Sequence, residues 1–265
     1  MYLILLLIAL SNAFQPRIVL LPGYGCNKND YKDIVNNCKK RSINVDVVPI
    51  ERWNWLYLCK GFFNANYWNR RMTPDELFDW YLDKAKNTVE KSVQKNNGKP
   101  IVLCGHSAGG WLGRALMQNG TFYKTDNQTS RYVRSLVTMG TPNIIHKDPK
   151  YDTTRGCLHY INKHYPGSFL TKQNITYITI GSYVKPIIFD TMNHFSKDRF
   201  VYNSYKTVLG NPKDYIIYGD GIVPLHASHL ENAIQLTYDD VFHFKRHKKR
   251  WYGSESVLND WLSYL

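Results

Sequence analysis

No apolar run in this 265-residue chain is long enough to cross a bilayer. The one concentrated stretch, Tyr2 to Leu10, falls far short of the ~20 residues that a membrane helix needs. Acidic residues are scarce: 21 Asp and Glu stand against 34 Lys and Arg, a formal charge of +13. That imbalance favours contact with an anionic partner such as a phospholipid surface. No nucleic-acid-binding motif accompanies the charge, so nucleic acid is discounted as a partner. Cysteine is sparse, at five residues, and none has the spacing with histidine that zinc needs. No metal site and no cofactor are expected. Internal repeats, linkers and low-complexity tracts are absent as well, so one large domain is expected.

Tyr2–Leu10 followed by Ser11-Asn12-Ala13 fits the apolar core and small-residue cleavage site of a secretory signal. The expected organisation is therefore a signal peptide at 1–13 and a single domain at 14–265, secreted or lumenal. Three sequons, at Asn119, Asn127 and Asn174, are glycosylation candidates under that reading. Cys26, Cys38, Cys59 and Cys157 would then be free to form two disulfides, while Cys104 reads as a buried small hydrophobe.

The organising stretch is Ile101-Val102-Leu103-Cys104-Gly105-His106-Ser107-Ala108-Gly109. An apolar strand runs into Gly-x-Ser-x-Gly, and a helix-compatible segment follows. This is the context of a nucleophile elbow, in which Ser107 is held up on a sharp turn. Chance copies of the pentapeptide are common, so its partners decide the reading. Before it, Arg17–Leu21 reads as a buried strand entering Pro22-Gly23-Tyr24-Gly25. Such a loop carries a second oxyanion donor. The candidates for the oxyanion hole are the amides of Ala108 and Tyr24, with Gly25 as the alternative to Tyr24. After it, Asp220 lies between glycines in Gly219-Asp220-Gly221-Ile222-Val223-Pro224, and His243 follows the last strand, Ala233–Thr237. A nucleophilic serine needs a base and an acid that orients it, in the chain order Ser, Asp, His. Ser107, Asp220 and His243 satisfy that order.

Other elements follow from local pattern. Thr73-Pro74-Asp75-Glu76 is a capping box with proline at the first helical position. Leu77, Tyr81, Ala85, Val89 and Val93 continue it as one apolar face. Strands are expected at Val45–Ile50, Tyr132–Met139 and Thr176–Ile180. The rings at Trp53, Trp55, Tyr57, Phe62, Phe63, Tyr67 and Trp68 read as core packing beside the sheet or as a pocket wall, with packing favoured. Alternating strands and helices argue a doubly wound α/β sheet. Cap or lid insertions are expected near 51–72, 143–172 and 182–213. Lys245–Arg250, just past His243, reads either as a solvated loop or as a cationic rim for an anionic membrane.

Together these residues resemble the lipase and esterase branch of the α/β-hydrolase superfamily, and more narrowly plant and algal members related to inositol-deacylase lipases. The matching pieces include Leu21–Gly25, Glu51–Leu56, Gly105–Gly110, Gly140-Thr141-Pro142, Gly219–Pro224 and Trp251–Ser254. The resemblance implies a mostly parallel sheet with an inserted cap. It also implies a serine ester hydrolase acting on a small or lipid ester through an acyl-enzyme, with no cofactor. Two alternatives stay open: a thioesterase or acyltransferase on the same triad, and a catalytically silent fold that binds lipid or protein.

Overall fold

The computed structural model describes residues 16–118, 132–184, 187–188, 197–210 and 216–265. The expected signal region and the sequons at Asn119 and Asn127 lie outside them. The strands are β1 (Ile18–Leu21), β2 (Val45–Val47), β3 (Ile101–His106), β4 (Val133–Met139), β5 (Thr176–Tyr183), β6 (Ile187–Ile188), β7 (Ile216–Ile217), β8 (Ile234–Asp239), β9 (Val241–Phe242) and β10 (Arg250–Trp251). Six of them form a wholly parallel sheet in the order β2-β1-β3-β4-β5-β8. β6 and β7 make a separate antiparallel ribbon, and β9 pairs with β10. The doubly wound α/β sheet expected from the sequence is the observed architecture.

Both faces of the sheet are covered, which is why its strands read as unbroken apolar runs. Along β1, Ile18 and Leu20 enter one apolar layer with the helices Lys32–Lys39 and Glu255–Leu262. Val19 and Leu21 enter the other, with Pro74–Lys95, Ala108–Met117 and Cys157–His164. The helix Pro74–Lys95 begins at the expected capping box, where the Thr73 amide donates to the Glu76 carboxylate at 2.7 Å.

The chain leaves β1 for β2 at the edge, then returns to β3 on the other side of β1. The connections after β1 and β3 therefore diverge, and the crevice at such a reversal is where open α/β sheets bind ligands. β1 and β3 pair with Leu21 opposite Gly105. The loop after Leu21 and the turn after His106 are thus brought side by side.

Two sequence expectations are corrected. The ring-rich segment is not core: Trp55 is buried, but Trp53, Leu56, Tyr57, Phe62 and Trp68 are exposed, and Phe63 is 94% exposed. It forms a 3-10 helix at Arg52–Phe63 followed by the short helix Ala65–Trp68, laid on the surface beside the crevice. The two disulfides are not formed, since all five cysteines are free thiols. Cys26 and Cys38 sit in one apolar layer, Cys157 in the opposite layer and Cys59 at the surface. The sheet stands between Cys157 and both Cys26 and Cys38. Asn174 is exposed, in a left-handed turn just before β5.

Candidate active site

Ser107 is the residue between β3 and the helix Ala108–Met117, at φ +52° and ψ −125°. A non-glycine residue there carries ~1–3 kcal/mol of backbone strain. The surroundings hold it: the Ser107 amide donates to the Met139 carbonyl at 2.9 Å. Glycine at 109 is required by close approach, because a Cβ there would run into the Leu21 carbonyl. The elbow and the loop after β1 thus press directly on each other. A Cβ on Gly23 would lie 2.9 Å from Ser107 Cβ.

Amides of the elbow and of the loop after β1 are left without backbone acceptors. Ala108 is the first residue of its helix, so its N–H has no intrahelical partner. The Gly23 amide is taken by the Tyr31 hydroxyl at 2.8 Å, whereas the Tyr24 amide makes no hydrogen bond among the described residues. Tyr81 reaches the Pro22 carbonyl at 2.7 Å and pins the loop from beneath.

Asp220 and His243 are in direct contact. Both are 1% exposed, and His243 Nδ1 lies 2.7 Å from Asp220 Oδ2. The other carboxylate oxygen accepts from the amides of Ile222 at 3.0 Å and Val223 at 2.8 Å. These bonds satisfy a buried anion at both oxygens. The Asp220 loop hangs outside the main sheet. It is clipped to the end of β5 by the Val184 amide on the Gly219 carbonyl at 2.8 Å. The buried Tyr205, from the helix Lys197–Leu209, accepts from the Gly221 amide at 3.0 Å.

With Nδ1 donating to a carboxylate, His243 presents the lone pair of Nε2. That nitrogen is buried and has no hydrogen-bond partner among the described residues, Ser107 included. Nε2 is thus an unengaged base. Residues on elements beside Ser107 pack against this ring. Its neighbour His106 lies against His243 with ring centroids 4.8 Å apart. Gly140, next to the Met139 that anchors the Ser107 amide, has its Cβ position 3.0 Å from His243 Nδ1.

His106 is a support rather than a rival base. Its Nε2 faces the His243 carbonyl at 3.0 Å, which only accepts, so Nε2 carries the proton. Its Nδ1 accepts from the Tyr31 hydroxyl at 3.0 Å. Burial and the adjacent His243 push its pKa down to about 3. His226 lies in the short helix Leu225–Ser228, and His229 is bound to Thr179 Oγ1 at 3.0 Å. Sequence reasoning gave no role to Tyr252, whose hydroxyl donates to Asp220 Oδ2 at 2.8 Å. Burial, with Asp220 beside it, pushes that phenol's pKa well up, so it stays a donor. Its single signal was its place in the Trp251–Ser254 match.

A cavity of about 560 Å³ opens over Ser107 and Ala108. Its apolar wall includes Trp55, Leu58, Phe62, Leu77, Phe78 and Trp111. The segments expected as caps each contribute: Trp55 to Tyr67, Thr153 to Arg155, and Ser204 to Val208. A second cavity of about 640 Å³, across Tyr24, is lined by Asp30, Lys32, Asp33, Arg52 and Lys245 and reaches His106 but not Ser107. Among the described residues, no cluster of three or more His, Cys, Asp or Glu is placed to hold a metal.

The class 3 lipase family model matches residues 29–166, just over half of the chain. This protein belongs to the class 3 lipase family. The match contains Ser107 but ends before Asp220 and His243. Two solved structures of one lipase share the architecture. Bacillus licheniformis lipase BlEst2 in mature form superposes with a TM-score of 0.53 at 13% identity, over 94% of this chain and 89% of that one. Its propeptide form gives 0.51 at 13% identity, over 92% and 47%. The product of gene lin2722 from Listeria innocua gives 0.49 at 16% identity, over 93% and 92%. No curated protein matches the sequence. The chain is an α/β-hydrolase of the lipase and esterase kind, and the family supports ester hydrolysis as its chemistry.

Proposed function

We propose that this class 3 lipase family member is a serine hydrolase cleaving a carboxylic ester of a lipid through an acyl-enzyme, with Ser107, His243 and Asp220 as its triad. The observation that carries the reading is the buried His243 ring. One nitrogen is committed to Asp220 and the other is buried and unengaged, in a ring packed against His106 of the elbow.

In this reading Nε2 of His243 takes the Ser107 proton as Oγ attacks the ester carbonyl. The amides of Ala108 and Tyr24 stabilise the resulting oxyanion, and preorganised donors of this kind contribute several kcal/mol each. His243 then returns the proton to the leaving alcohol. A water, deprotonated by the same nitrogen, releases the acid. Asp220, held by four donors, keeps the imidazole in the required tautomer. The apolar wall of Trp55, Leu58, Phe78 and Trp111 suits an acyl chain. The N-terminal run Tyr2–Leu10 supports a secretory destination for this activity.

The test is turnover of 4-nitrophenyl butanoate by purified protein, together with labelling by a fluorophosphonate. Ser107→Ala is expected to abolish labelling and to lower turnover by roughly 10⁴-fold or more. Labelling that persists in Ser107→Ala would end the assignment.

A further inference from the structure

Among the described residues, Arg155 is the one charged side chain that borders the Ser107 cavity. Its surroundings there are apolar rings and the hydroxyls of Thr153, Thr154, Ser204 and Thr207. The guanidinium lies 4.5 Å over the Tyr67 ring. A ring face attracts the charge but accepts none of the five N–H bonds in the directions they point. Arg155 makes no ion pair and no side-chain hydrogen bond among the described residues. The nearest acid in sequence, Asp152, is engaged elsewhere, by His159 Nδ1 at 2.9 Å and by Thr154.

The residue is also held in place. Its backbone is left-handed, at φ +59°. Its amide donates to the Asp152 carbonyl at 3.2 Å, and its carbonyl accepts from the Met72 amide at 2.9 Å. Gly156 follows at φ +110°, where a Cβ would clash with the Arg70 carbonyl. A strained, anchored backbone thus presents a partly buried cation to the cavity. Desolvating a guanidinium beside aromatic rings is costly unless an anion meets it. Planar N–H donors in a fork match phosphate and carboxylate oxygens.

We infer that Arg155 is a specificity residue, and that the ligand of this cavity is an anionic amphiphile: a chain against Trp55, Phe78 and Trp111, with a phosphate or carboxylate group on the Arg155 guanidinium. The inference rests on the ester-hydrolase reading for its meaning as substrate choice. Its test reads binding alone, so the two fail separately.

In a Ser107→Ala background, binding is followed by the fluorescence of the cavity tryptophans on titration with decyl phosphate, decanoate and decanol below their micelle concentrations. Decyl phosphate, decanoate or both should bind at least tenfold more tightly than decanol, with an advantage that shrinks as salt rises. Which anion leads separates a phosphate from a carboxylate ligand. Arg155→Gln should remove most of that advantage, a relative loss of roughly 10- to 100-fold for a charge-assisted pair. Arg155→Lys should restore part of it. Thermal melts establish that both variants are folded. Equal affinity for all three ligands in the parent protein would overturn the inference. So would an Arg155→Gln variant that keeps the anion preference, or an Arg155→Lys variant no better than Arg155→Gln.

Discussion

Tyr252 and His243 share one oxygen of Asp220, the phenol at 2.8 Å and the imidazole Nδ1 at 2.7 Å. The phenol therefore withdraws some of the negative charge that would otherwise concentrate on the imidazole. Removing it should leave Asp220 a stronger acceptor toward a protonated His243. Tyr252→Phe is expected to reduce kcat/KM about tenfold, the cost of losing one hydrogen bond to a charged group. It should also move the acid limb of the pH–rate profile to higher pH. An unchanged rate with an unmoved acid limb would mean that Tyr252 only fills space.

His106 makes stability depend on acid. Its folded pKa of about 3 lies below its ordinary value of 6.5. Between those two values the unfolded chain binds a proton that the folded protein refuses. Stability should therefore be full above about pH 6.5 and fall as the pH drops toward 3. Urea denaturation across that window should show a shallower acid loss in His106→Asn than in the parent. The two slopes being equal would remove His106 as the cause.

Lys245–Arg250 follows His243 on an exposed loop. Lys245 is paired with Asp33 at 2.7 Å, and Arg246 and Lys249 lie over the Phe242 ring. Lys248, at φ +55°, stands at the tip of the same run. Each basic residue near an anionic surface contributes ~1 kcal/mol of attraction. Reversing Lys248 and Lys249 to Glu should weaken sedimentation with phosphatidylglycerol vesicles by about tenfold or more, and leave phosphatidylcholine vesicles unaffected. Unchanged sedimentation would make the run a solvated loop.

The parts of this protein that were legible in the sequence are those whose cause is local. Thr73 to Glu76 announced a helix because a capping box needs only its own four residues. Gly105-x-Ser107-x-Gly109 announced the elbow because strand, turn and helix are contiguous there. Asp220 and His243 were read by order and by their loops, and the structure puts their side chains in contact. Tyr252 and Tyr31 carried no such signal, since their partners lie 32 and 75 residues away. The rings at 53–63 misled for a physical reason. Burial there falls at Asn54, Trp55 and Gly61, with Leu58 half-buried between them, close to the three-residue period of a 3-10 helix. That spacing matches neither the α-helical nor the strand template, so the sequence leaves core packing and pocket wall both open, with packing favoured. The cysteines misled because composition alone says nothing of which side of a sheet each thiol occupies.

The acid of the pair is carried on a spur that is stitched shut where it departs. Val184 and Gly219 close its neck, and the Asp220 amide on the Val223 carbonyl at 3.2 Å closes the tip. Beyond that neck and tip, the excursion between positions 184 and 219 touches the Asp220 loop through Tyr205, whose hydroxyl takes the Gly221 amide, and through Val208, packed with Val223. Lengthening such an excursion costs only ~0.6 kcal/mol per doubling in closure entropy. A different roof grafted here would keep the same chemistry if it kept the Tyr205 hydroxyl on the Gly221 amide.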